Sequence, residues 1–187
     1  MPGPIVGLLL AAGSATRFGA DKLLAPLADG TAVGVAAIRA LAPAVDTTIA
    51  IVRPGDERLA QALVGCGARV TVCLRAAEGM GASLAWGVRA APLAAAWLVA
   101  LADMPWIRPS SVARVVEAMR RGATLAAPGW RHARGHPVGF AASFYPELSA
   151  LSGDEGAKAI LARHRVELID ADDPGVTRDV DTPEDLV

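Results

Sequence analysis

Continuous apolar runs alternate along this chain with segments whose apolar residues recur at helical spacing. Runs without the apolar-polar alternation of a half-exposed strand predict strands buried on both faces of a sheet. They fall at 5–10, 47–52, 68–74, 97–101 and 124–127, with a last short strand at 166–169. The intervening patterns predict helices at 31–41, 57–64, 82–91 and 110–121, and a further one at 157–164. The clearest is 110–121, where Val112, Val115, Val116 and Met119 follow i, i+3, i+4, i+7 while Arg114, Glu117 and Arg120 take the other side. Such a stripe belongs to a surface helix lying on a sheet.

Strand-helix alternation at this spacing implies right-handed βαβ units and a doubly wound α/β fold, with a mostly parallel sheet and helices on both faces. No repeat, low-complexity tract or linker divides residues 1–187, so a single domain is expected. In such sheets ligands bind beyond the carboxyl ends of the strands, which directs attention to the residues just after each run. The stretch 128–139, rich in Gly, Pro, Arg and His, is long for a compact connection and is expected to be a functional loop.

Composition narrows the classes. Eighteen Lys and Arg against 19 Asp and Glu leave a formal net charge of −1, which excludes a strongly basic nucleic-acid binder. Hydrophobic residues make up 53% of the 187, enough to fill a core. Cys66 and Cys73 support neither a disulfide framework nor a zinc ribbon and are expected to be reduced and packed. The apolar start lacks the positive charge of a signal peptide, and the apolar stretch 90–102 contains Pro92 and is too short for a membrane span. A cytoplasmic protein with no membrane or nucleic-acid partner is the expectation.

Chemistry concentrates after the strands. Behind the first run comes Ala11-Ala12-Gly13-Ser14-Ala15-Thr16-Arg17-Phe18-Gly19-Ala20-Asp21-Lys22. Small residues let backbone N–H groups approach an anion, and Arg17 and Lys22 supply charge for a polyphosphate. The same residues could form an ordinary strand-to-helix loop with two solvated cations. The spacing is neither G-x-G-x-x-G nor G-x-x-x-x-G-K-[ST]. Asp103 ends the fourth strand and is a candidate ligand for a hard divalent cation, or else a turn residue ahead of Pro105. Near the end, Thr182 and Pro183 make a good helix start, which leaves Asp181 as a second candidate carboxylate if the chain returns to the crevice. Glu78-Gly79-Met80-Gly81-Ala82-Ser83 could lay backbone against a base or simply cap the next helix. Segment 131–140 holds two of the three histidines and suits an anionic second substrate or a solvated surface.

Together these segments resemble the MobA-like nucleotidyltransferases, and within them the molybdenum cofactor cytidylyltransferase branch more than the guanylyltransferase branch. The most specific piece is Leu10-Ala-Ala-Gly-Ser-Ala-Thr-Arg-Phe-Gly-Ala-Asp-Lys22; the guanylyl branch more often has Gly-Gly where Ala12-Gly13 stand. Leu101-Ala-Asp-Met-Pro105, Gly135-His-Pro-Val138, Gly153-Asp-Glu-Gly-Ala157 and Asp179-Val-Asp-Thr-Pro-Glu-Asp185 follow in the family's order. Met104, Gly81-Ala82 and Gly139 depart from the pattern of the cytidylyl branch.

The resemblance implies a Rossmann-like fold of the nucleotide-diphospho-sugar transferase type and a Mg²⁺-dependent reaction. In it, the phosphate of a pterin-type acceptor attacks the α-phosphorus of CTP and releases pyrophosphate. It implies catalytic roles for Arg17, Lys22 and Asp103, and a metal held by Asp103 and Asp181. Nucleotide contacts would come from Leu10, Ala11, Ala12, Gly13, Ser14, Ala15, Arg17, Lys22, Gly79, Met80 and Ser83, and acceptor contacts from His136 and Asp154. A molybdoenzyme would receive the product. Two other readings share these residues: a guanylyl or sugar-phosphate nucleotidyltransferase of the same fold, and a cofactor-delivery partner of an oxidoreductase with little turnover.

Overall fold

A computed structural model describes residues 3–13, 18 and 21–186. The chain runs β1 (Ile5–Ala11), α1 (Val33–Leu41), β2 (Thr47–Val52), α2 (Glu57–Val64), β3 (Arg69–Val72), α3 (Met80–Arg89), β4 (Ala96–Leu101) and α4 (Pro109–Arg120). It continues through β5 (Leu125–Trp130), β6 (Ala133–Arg134), β7 (Val138–Ala141), α5 (Tyr145–Ser149), α6 (Lys158–Arg163) and β8 (Glu167–Asp170). Strands β3, β2, β1 and β4 lie side by side and parallel, giving the doubly wound half that the alternation predicts.

Beyond β4 the sheet becomes mixed. β7 runs antiparallel to both β4 and β5, and β8 lies parallel on β5. The stretch 128–139 is therefore not one open loop: β5 extends to Trp130, turns, and returns as β6 before β7 begins. Its polar content concealed this hairpin, because Arg134 and the turn face solvent while only Val138 onward carries an apolar strand pattern.

Both faces of the sheet are covered, which is why the central strands read as unbroken apolar runs. Along β1, Ile5, Leu9 and Ala11 pack with Ile38 of α1, Leu63 of α2 and Val115 of α4, while Val6, Leu8 and Leu10 pack with Leu84 of α3, Leu148 of α5 and Ile160 of α6. The predicted stripe Val112, Val115, Val116 and Met119 is buried as a face. No described helix is long and apolar enough to cross a membrane.

Parallel pairing aligns the strand ends. Ala11 sits opposite Val52 and Leu10 opposite Leu101, so Gly13, Arg53 and Asp103 leave the sheet at one edge. Gly13, Asp103 and the loop at Gly79, each singled out for following a strand, come to that edge.

Candidate active site at the carboxyl edge

A cleft of about 880 Å³ opens over the ends of β1 to β4. Its walls include Leu10, Ala11, Ala12 and Gly13 from the first loop, Lys22, Asp103 and Asp181, and Gly79, Met80 and Ser83 from the start of α3. Residues scattered over the whole sequence thus share one concavity. Ser14, Ala15 and Arg17, assigned to the same site, lie outside the described residues.

Lys22 has a defined partner. Its Nζ donates to Asp103 Oδ2 at 2.8 Å and to the Val180 carbonyl at 2.8 Å. Both side chains are mostly covered, with relative exposures of 13% for Lys22 and 26% for Asp103. In the free protein Lys22 is therefore the counter-ion of Asp103, a pairing that strand-end position alone did not predict.

The C-terminal segment does return to the crevice. Val180 N–H donates to the Asp103 carbonyl at 2.9 Å, which sets Asp179 and Asp181 against the end of β4. Asp185 fixes the turn that follows, accepting from the backbone N–H groups of Asp181 and Thr182 at 2.9 and 2.8 Å. The element after Thr182 is a short 3₁₀ turn, Pro183–Leu186. Half of a capping box is present, with the acidic residue three positions after Thr182 reaching back to its N–H.

Crowding of carboxylates has an electrostatic consequence. Partial burial, then the charges of Asp103 and Asp181, push the Asp179 carboxyl above the ordinary carboxylate range, with Lys22 acting the other way. Negative charge thus accumulates at this point of the edge. Among the described residues no group of three or more His, Cys, Asp or Glu side chains converges into a complete metal cage. Two hard carboxylates in an acidic spot suit a magnesium-type cation, which takes one or two protein oxygens and completes its shell with substrate phosphates and water. Asp103 and Asp181 fit that requirement.

The two residues expected at the acceptor separate. Asp154 lines the cleft and lies against Gly79: a Cβ there would collide with Asp154 Oδ1 and sit 2.6 Å from the Gly153 carbonyl oxygen. Gly81 N–H donates to that same Gly153 oxygen at 2.7 Å. Segment 153–154 therefore braces the loop ahead of α3, at the opposite end of the cleft from the carboxylates. His136 is not part of the cleft wall. Its Nδ1 is sealed from solvent with no hydrogen-bond partner, and burial holds the imidazole below the ordinary histidine range. A hydrogen bond to the Val99 backbone and the charge of Asp103 oppose that shift, while Arg134 adds to it.

The departures from the family pattern also find places. Met104 is buried in the core at 3% exposure, and Gly139 leaves room for Met119, whose Sδ would stand 2.8 Å from a Cβ there. Neither faces the cleft. Arg53 was not singled out from sequence, yet it lines the cleft with Asp56, to which its Nε donates at 2.9 Å. The signal was available, since Arg53 directly follows the β2 run and sits at the same edge as Gly13.

Residues 7–168 match the MobA-like NTP transferase domain. The chain belongs to that family. Among curated relatives, the MobA-like chain is 36% identical over 179 residues to a molybdenum cofactor guanylyltransferase of Burkholderia ambifaria, covering 88% of this chain and 85% of that one. It is 31% identical to a protein of Paenarthrobacter nicotinovorans named nicotine blue oxidoreductase, covering 97% and 94%. Among solved structures, Rv0371c of Mycobacterium tuberculosis H37Rv superposes with a TM-score of 0.84 at 27% identity, covering 99% of this chain and 96% of that one. Rv0371c has also been solved in complex with manganese. This MobA-like chain accordingly belongs to a nucleotidyltransferase family, with relatives named for molybdenum cofactor chemistry.

Proposed function

We propose that the protein transfers CMP from CTP to the phosphate of molybdopterin or its metal-loaded form, with Mg²⁺, and releases pyrophosphate. The observation that carries this reading is the convergence of Gly13, Lys22, Asp103 and Asp181 in one cleft, with the Gly79 loop as its far wall. A phosphate oxygen of the acceptor forms a new bond to the α-phosphorus, and the bond from that phosphorus to the β-phosphate oxygen breaks. Chemistry of this kind asks the protein for alignment and charge stabilisation rather than a covalent nucleophile.

Bound between Asp103 and Asp181, the cation would supply Lewis acidity toward the reacting phosphates. Backbone N–H groups of Ala12 to Ala15 hold the nucleotide, and Lys22, on leaving Asp103, neutralises the departing pyrophosphate. Arg17 acts with it. Gly79, Met80 and Ser83 receive the base, with Asp154 behind Gly79.

Guanylyl transfer is the second reading, favoured by the 36% identity to the Burkholderia guanylyltransferase. A panel of CTP, GTP, ATP and UTP, each with and without Mg²⁺, separates the two by thermal shift, because a ligand binding only the native state raises its stability. A metal-dependent rise selective for CTP is expected. A GTP-selective rise moves the assignment to guanylyl transfer, and no shift with any nucleotide at millimolar concentration overturns both.

A further inference from the structure

The Gly79 end of the cleft is built differently from the end at Asp103. Leu74, 73% exposed, and Met80, 46% exposed, stand in its wall with Ala76 and Ala77. Large apolar side chains left open in a concavity suit a flat apolar ligand that covers them. Gly156 makes room for one of them, since a Cβ there would stand 3.1 Å from Met80 Sδ. A thioether so placed makes favourable contacts with an aromatic ring.

Beside this apolar wall stands a carboxylate. Among the described residues Asp154 has neither a hydrogen-bond nor a salt-bridge partner, although it lines the cleft. Backbone packing fixes its position instead. Its Oδ1 fills the space that a Cβ on Gly79 would need, and Gly81 is as tightly backed, with the Ser152 carbonyl oxygen 2.6 Å from a Cβ there. The Gly81 N–H bond to Gly153 locks the two segments together. Residues 152–154 are thus seated on two glycines, and the carboxylate is held ready without a partner of its own.

Charge decides what can meet it. Lys22 offsets Asp103 at the other end of the cleft, whereas a carboxylate without a counter-ion repels a phosphate. The triphosphate therefore belongs at the Lys22 end, and Asp154 meets a neutral group that carries N–H donors. Cytosine presents such a donor at its N4 amino group, while a pyrimidine with O4 in that place presents an acceptor. An acceptor set against a carboxylate leaves both unpaired, and mismatches of that kind are how polar sites reject close analogues.

We propose that Asp154 accepts a hydrogen bond from the exocyclic amino group of the base, which lies against Leu74 and Met80, and so excludes uridine nucleotides. The proposal rests on the transferase reading and names the residue that sets its base. It applies to guanylyl transfer as well, because guanine carries an amino group at N2.

The test is calorimetric titration of CTP and UTP, with Mg²⁺, into wild type, Asp154→Asn and Met80→Ala. GTP and inosine triphosphate, which lacks the N2 amino group, form a second pair. Wild type is expected to prefer the amino-bearing member of its chosen pair by about tenfold or more. An amide offers a donor as well as an acceptor, so Asp154→Asn is expected to bring that pair within about threefold, chiefly by weakening the amino-bearing nucleotide. Met80→Ala removes apolar contact alone and is expected to weaken both members alike, keeping their ratio. Selectivity is a ratio within one protein, so a loss of stability in a variant does not move it. Unchanged ratios in Asp154→Asn, with affinities falling together as in Met80→Ala, make Asp154 a brace for the loop and overturn the proposal. A wild type that separates neither pair overturns it too. Failure of the transferase reading shows differently, as absence of binding by all the nucleotides, and removes this proposal with it.

Discussion

The Lys22–Asp103 pair can be weighed by a double-mutant cycle. At 2.8 Å and an effective dielectric near 20, two unit charges attract by about 6 kcal/mol before desolvation and side-chain entropy are charged against them. Net charge-assisted bonds in proteins retain about 1.5–3 kcal/mol of such attraction. Lys22→Met removes that bond and also the donor to the carbonyl of Val180, a fully buried residue. The expected cost is about 2 kcal/mol, or roughly 4–8 °C in Tm for a chain of this size. Asp103→Asn keeps an oxygen acceptor and should cost about half as much. Urea unfolding of the wild type, both single variants and the double variant is expected to give a coupling of about 1–2 kcal/mol without ligand. Repeated with Mg²⁺ and CTP at saturation, the coupling should shrink, because the two side chains then take separate partners. A ligand-free coupling below about 0.5 kcal/mol would refute the claim that Lys22 is the resident counter-ion of Asp103.

Three further outcomes follow from the same geometry. Gly79→Ala places a methyl group against Asp154 and the Gly153 carbonyl at a backbone φ of 119°, so it should cost about 1–3 kcal/mol by denaturation and raise the KM for nucleotide more than it lowers kcat. The imidazole of His136 is depressed below 6.5, so the unfolded chain binds the extra proton first: its contribution to stability is complete above pH 6.5 and is lost as pH falls through the depressed value. His136→Gln should flatten the slope of stability against pH below 6.5, and an unaltered slope in urea titrations at pH 5 to 7 would contradict this. Asp173, 2% exposed, accepts from Arg108 N–H, Ser111 Oγ and Gly175 N–H; Asp173→Ala should cost about 3 kcal/mol or more and weaken Mn²⁺ binding by displacing Asp181, checked by electron paramagnetic resonance.

The parallel half of the sheet was legible because burial on both faces removes any need for polar positions, leaving runs such as Thr47–Val52 whose bounds coincide with the observed strand. The antiparallel half was not. β6 has only two residues, both exposed, β7 has only four, all buried, and neither hairpin turn residue is one that usually signals a turn. Cleft-lining residues were legible by position: Gly13, Asp103 and Gly79 follow strands in sequence, and position at a strand end survives any side-chain arrangement. What position cannot carry is partnership. Lys22 meeting Asp103, Asp154 bracing Gly79 instead of standing with His136, and Arg53 entering the cleft all depend on how loops from different strands fold over one another.

Asp181 shows how much packing a single site carboxylate requires. It lies in a segment without long helix or strand, 13 residues beyond the point where the family match stops, and the Val180 N–H bond to Asp103 and the Asp185 turn hold it only at its own end. Two glycines do so from a distance. Gly175 lies so close to the Trp106 carbonyl, and Gly135 to that of Val176, that neither position has room for a Cβ. The His136 N–H then donates to the same Val176 oxygen at 2.8 Å. The segment is thus clamped between the loop after Asp103 and the strand line of the hairpin, with Asp173 tying its start to α4. The clamp joins the two carboxylates to the hairpin arm as one unit, so a change that loosens Gly135 or Gly175 should weaken binding at the proposed cation site while leaving the far wall of the cleft, at Gly79, in place.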